Sequence, residues 1–159
     1  MLLGPFLSRF FETLGWAEKG RFTGREAQQL AVAALQFLAD GQTEPAPEHL
    51  LVLPKILCGL APSSLYDPPR PLSETEMSEA ENLLTAMLEQ APMLGLRTVN
   101  ALRGSFLLRA GVLRPRGDHW ALHVETETFD LLLGRLPWGF RALRLPWMEA
   151  AVLVNWEIS

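Results

Sequence analysis

The chain has 159 residues, of which 48% are hydrophobic and 20% charged, with a formal net charge of −4 and a single cysteine. That composition excludes disordered, collagen-like and disulfide-stapled classes and suggests one domain able to bury a core of its own. The acidic balance argues against general attraction to nucleic acid or anionic membrane.

Phe6, Leu7, Phe10, Phe11 and Leu14 recur at helical spacing behind Pro5, which predicts a helix over 5–14 stopped by Gly15. Thr23 and Glu26 have capping-box spacing ahead of a second helix over 24–39, ended by Asp40-Gly41. A third helix is expected within 48–60, where Pro54 would remove one helical hydrogen bond. Cys58 lies in the apolar run LPKILCGL and is expected to act as a small buried hydrophobe. Residues 61–72 hold four of the 12 prolines and are expected to form an irregular loop. Ser73 and Glu76 then repeat the capping-box spacing. A helix over 74–90 follows, with Met77, Ala80, Leu83, Leu84, Met87 and Leu88 on one stripe. Thr98 is placed to cap a further helix over 98–109.

After Gly111 the apolar period changes. VLRPRGDHWALHVE reads as two strands about a turn, with Trp120, Leu122 and Val124 on one face. A short helix is expected in TETFDLLLGRL, then strands in FRALRL and AVLVNW. The fold class is therefore α+β. N-terminal helices (1–110) pack on a small C-terminal antiparallel sheet (111–159) with one inserted helix, all in one compact domain. Phe106, Leu107, Leu122, Phe129 and Leu132 are expected in the core.

The chemistry-bearing residues do not fall into a catalytic constellation. His119 and His123 share a strand face about 13 Å apart, too far to chelate one ion. His49 stands alone, and Ser63 and Ser64 lie in the proline-rich loop without the setting of a nucleophile. Glu125, Glu127 and Asp130 surround a helix start, where acids complement the dipole. Arg116-Gly117-Asp118 is read as turn chemistry rather than an adhesion motif. The reading is a non-enzyme with no cofactor and no metal. A helix followed by a hairpin, with Arg103, Arg109, Arg114 and Arg116, leaves a winged-helix DNA-binding regulator as the alternative function.

Several stretches together resemble the conserved module of contractile injection system tape measure proteins, parts of phage-tail-like particles. They are PFLSRFFETLG, LPKILCGL, LSETEMSEAENLL, LRGSFLLRAGVL, WALHVETETFDLLLGRLPWGF, and RLPWM followed by VLVNW. They span nearly the whole chain in the family's order, and the doubled Leu-Pro-Trp is the most specific among them. Two positions depart from the family's usual pattern, Ala91 before Pro92 and Asn155 before Trp156. The resemblance implies a structural assembly protein located in the cytoplasm and built into a particle. Tube, sheath or baseplate proteins would be its partners, with no small-molecule substrate, no nucleic acid and no membrane. Family members usually carry a long variable region ahead of this module. Even one continuous helix of this length would reach only about 240 Å, and a compact fold has a radius of gyration of about 15 Å. The expectation is the terminal module of a ruler, or a short relative that keeps its docking end.

The stretch LPWGFRALRLPW repeats Leu-Pro-Trp at 136–138 and 145–147. If FRALRL is a strand, each proline stands at a strand end where no donor is needed. The odd offset would then put Trp138 and Trp147 on opposite faces. We expect Trp138 inside and Trp147 at a docking surface, with Pro146, Met148 and Trp156 as its companions.

Overall fold

The computed structural model describes residues 1–158. Helix α1 (Gly4–Thr13) buries Leu7, Phe10 and Phe11. The chain then makes a small hairpin, β1 (Ala17–Glu18) and β2 (Arg21–Phe22), which the sequence reading did not foresee. Its two-residue turn has positive φ at both Lys19 and Gly20, the geometry that matches strand twist. Helix α2 (Arg25–Asp40) is buried on nearly every side and touches α3, α4, β2 and the π turn introduced below. Small residues allow this, since Ala27, Ala31 and Ala34 let neighbouring elements approach closely.

A 3-10 turn (Glu48–Leu50) leads into α3 (Val52–Leu57). Pro54 is tolerated because α3 begins only at Val52. Proline therefore falls in the first turn, where backbone N–H groups have no helical partner. The loop over 61–72 lacks regular structure but is tied down. The buried Gln29 donates to Leu65 O at 3.0 Å and accepts from Asp67 N at 2.9 Å, and Glu48 accepts from Tyr66 N at 2.9 Å. Helix α4 (Glu74–Gln90) presents Ala80, Leu84 and Met87 to the core.

The expected helix over 98–109 is shorter and changes pitch. Helix α5 (Val99–Leu102) passes into a π turn, Arg103–Leu107. A π turn shifts the facing of the residues that follow. Phe106 is buried and Leu107 half-buried, while Leu108 is exposed.

Strands β3 (Gly111–Arg116) and β4 (His119–Val124) form the expected hairpin. Gly117 has φ +64° and Asp118 does not share the positive sign, so the turn fits type II′. The rest of the sheet corrects the sequence reading. The order is β3-β4-β6-β5, and β6 (Ala151–Trp156) runs parallel to β4. The sheet is mixed, not antiparallel. A long connection, including a 3-10 helix at Thr128–Arg135, carries the chain back before β6, and parallel pairing requires such a crossover. Strand β5 (Ala142–Leu143) has only two residues. Along β6, Val152, Val154 and Trp156 are buried and alternate with exposed Leu153 and Asn155. Phe129, expected in the core, is 39% exposed, since its 3-10 turn seats Asp130 and Leu133 inward instead. Leu122 and Leu132 are half-buried against the core.

Candidate partner-binding surface

Neither Leu-Pro-Trp flanks a long strand. The second is a tight turn in which Met148 N donates to Leu145 O at 2.9 Å, with Pro146 at the first corner position that its fixed φ suits. Leu145 and Met148 are buried, and Leu145 N donates to Met148 Sδ at 3.2 Å. The turn leaves Pro146 exposed and folds Trp147 back over Phe22 and Phe11, with ring centroids 4.6 and 5.8 Å away. The Trp147 indole N–H donates to Leu57 O at 2.7 Å. The first repeat, without such a turn bond, also anchors its indole to a backbone carbonyl. Trp138 donates to Leu2 O at 3.0 Å and stands edge-on to Phe6 at 5.2 Å.

Both indoles are thus half-buried and fasten the C-terminal part to carbonyls of the N-terminal helical part. This differs from the expected division of one inside and one outside. Glycine makes the second attachment close. Gly59 has φ +76°, and a Cβ there would lie 2.8 Å from Trp147 O. Gly20, with φ +78°, would place a Cβ 3.1 Å from Pro146 Cβ.

Of the four residues read as partner-facing, Met148 and Trp156 are core, at 4% and 2% exposed. The alternation of β6 turns Trp156 inward, and the tight turn seats Met148 beside Leu145. Pro146 and the free edge of Trp147 remain, and with Lys19, Arg21, Phe22 and Gln28 they line a shallow open hollow.

Trp156 belongs to a buried polar cluster instead. Its indole N–H donates to Asp130 Oδ2 at 2.9 Å. Arg109 grips the same carboxylate through both terminal nitrogens, at 2.6 and 2.8 Å, and the Glu127 N–H donates to it at 2.8 Å. Burial alone would raise the Asp130 carboxyl, but the bonds from Arg109, Glu127 N and Trp156 hold it below its ordinary value. Arg109 also donates to the Glu125 and Ser105 carbonyls. The reading of Asp130 as an acid complementing a helix dipole gave none of these bonds, neither the local one to Glu127 N nor those to partners 21 and 26 residues away.

Arg103 is likewise internal. It donates to Leu38 O at 3.2 Å and Phe37 O at 3.1 Å, capping the last carbonyls of α2, and to Glu81 at 2.9 Å. Two of the four arginines required by a winged-helix reading are therefore turned into the fold. His119 pairs with Asp118 in the hairpin turn at 3.0 Å. Lys55, buried, pairs with Glu48, and nothing in the sequence flagged it. Among the described residues no helix is long and apolar enough to cross a membrane.

The buried charges Lys55, Arg103, Arg109 and Asp130 are all paired within the fold. The family model described as contractile injection system tape measure protein matches residues 1–156. The chain belongs to that family. No curated protein and no solved structure matches it.

Proposed function

We propose that this chain is a non-catalytic assembly module of a contractile injection particle, acting through protein–protein contacts in setting the length of the tube and sheath. The family match over residues 1–156 carries this reading. Its longest helix, α4, has 17 residues and would reach only about 25 Å. Any contribution of these residues to length is therefore made by docking, not by extension. Tube, sheath or baseplate proteins are the partners, and the particle assembled in the cytoplasm is its location. The hollow around Pro146 and Trp147 is one docking surface. It combines an exposed aromatic edge with the cations Lys19 and Arg21, features common at binding hot spots.

Particles purified from cells expressing the structural proteins with and without this chain test the role. Electron microscopy is expected to show lost particles or a broadened length distribution when the chain is absent. Particles of unchanged number and length would refute it. Lys19→Glu with Arg21→Glu tests the hollow without disturbing the indole bond to Leu57. Reduced incorporation at an unchanged melting temperature is the expected outcome.

A further inference from the structure

The sheet sets one face against the core and leaves the other open. Its register assigns the residues that β3, β4 and β6 give to the open face, to which β5 adds Ala142 beside Leu153. Val112 lies beside His123 and Asn155, Arg114 beside Ala121 and Leu153, and Arg116 beside His119 and Ala151. Val112 and Leu153 are 46% and 43% exposed, an unusual placement for two large aliphatic side chains in one small sheet.

No position of this grid carries a carboxylate, although the chain has 18 Asp and Glu against 14 Lys and Arg. The nearest acids stand at the margins. Asp118 lies in the turn and is paired with His119, while Glu125 and Glu157 lie just beyond the ends of β4 and β6, at the opposite end of the face from Arg116. Arg114 and Arg116 form no ion pair among the described residues. Within the strands the face is thus basic along β3 and apolar beside it at Ala121 and Leu153, on a molecule that is acidic overall.

From this charge pattern we infer that the open face of the sheet docks an acidic segment of another protein of the injection particle, one with apolar side chains at its centre. The inference rests on the assembly role proposed above. Charge complementarity selects the sign of the partner, and Val112, Ala121 and Leu153 supply area that only an apolar surface would cover favourably. Nucleic acid fits less well, because a face with two arginines, bordered by Glu125 and Glu157 on a chain of net charge −4, offers phosphates little attraction. A second copy fits less well too, since a symmetric contact would bring together two faces that each carry unpaired arginines and no carboxylate within the strands. Strand addition at the edge is opposed by Pro115, which has no N–H, and by the flanking arginines.

The test co-expresses the tube, sheath and baseplate proteins with the wild-type chain or with Arg114→Glu and Arg116→Glu together. A third sample carries a photoreactive benzoylphenylalanine in place of Leu153. The double variant is expected to keep its melting temperature and to enter particles roughly tenfold less, as reversed rim charges do at complementary interfaces. Cross-links from position 153 are expected on an Asp- or Glu-rich segment of a particle protein. Absence of the wild-type chain from purified particles would remove the assembly role and this inference with it. Wild-type incorporation matched by the double variant, or cross-links to nucleic acid or to a second copy, would overturn this inference alone.

Discussion

Asp130 is wholly buried, and each of its oxygens is answered by a donor. A carboxylate in that position is tolerable only because Arg109, itself 8% exposed at its side chain, neutralises it and the Trp156 indole completes its bonding. Removing one partner would leave a buried, uncompensated charge. Asp130→Asn is therefore expected to cost about 3 kcal/mol or more in urea unfolding. The pH dependence follows from the lowered carboxyl. Above its ordinary pKa of 3.8 both folded and unfolded chains hold the carboxylate, and its stabilisation is complete. Below that value the unfolded chain takes up the proton first, so stability falls until the folded carboxyl also titrates. Unfolding measured from pH 6 to pH 2 should show a steeper acid loss in the wild type than in Asp130→Asn. Equal slopes would mean that the carboxyl is not held low in the fold.

Among the elements, helix termini separate a sequence signal from its use. Ser73 accepts from Glu76 N at 3.2 Å and Thr98 accepts from Ala101 N at 3.0 Å, as their spacing predicts. Glu76 does not complete the box, since its carboxylate pairs with Arg70. Thr23 has the same spacing but does not cap. The N-cap is Gly24, and the Thr23 hydroxyl donates to Trp16 O at 3.3 Å, closing the base of the β1–β2 hairpin. Replacing Ser73 or Thr98 by alanine is expected to cost about 1 kcal/mol, and replacing Thr23 clearly less. A loss at Thr23 equal to that at Ser73 would contradict the cap assignment. The long helices were legible because their apolar stripes are local, as at α4, where Ala80, Leu84 and Met87 fall on the stripe read from sequence. The strands of the β3–β4 hairpin were legible for the same reason. The parallel pairing of β4 with β6 was not, because it depends on how the connection over 125–150 crosses the sheet, and no residue pattern encodes direction. Arg103, Arg109 and Lys55 look like surface charges in sequence. Only their distant partners, α2 carbonyls, Asp130 and Glu48, reveal them as internal. The partner-facing residues divide similarly. Pro146 was read at a strand end and stands in a turn, and the inward direction of Met148 and Trp156 depended on packing from elsewhere in the chain.

At the scale of the molecule, the doubled Leu-Pro-Trp joins two regions that differ in architecture. Trp138 reaches Leu2 O beside α1, and Trp147 reaches Leu57 O at the end of α3. Gly4 would meet Leu143 of β5 at 2.8 Å if it carried a Cβ, so the N-terminal helix also presses on the sheet. Each indole bond is worth about 1 kcal/mol, and the aromatic burial beneath it adds more. These attachments lie far apart in sequence, which couples the stability of helices and sheet. We therefore expect one cooperative unfolding transition. Of the five tryptophans, Trp120, Trp138, Trp147 and Trp156 lie in the strand-rich part, and Trp16 alone lies in the helical part. Tryptophan fluorescence thus reports chiefly on the sheet side, and circular dichroism at the helical band reports on the other. The two urea transitions should superimpose in the wild type. In a Trp138→Phe, Trp147→Phe double variant, both midpoints should fall together by an amount equivalent to about 2 kcal/mol, because each ring is largely kept while two carbonyls lose their donors. Fluorescence that moved while dichroism stayed would show that the helical part stands without these attachments, and the doubled motif would then serve the surface rather than the fold.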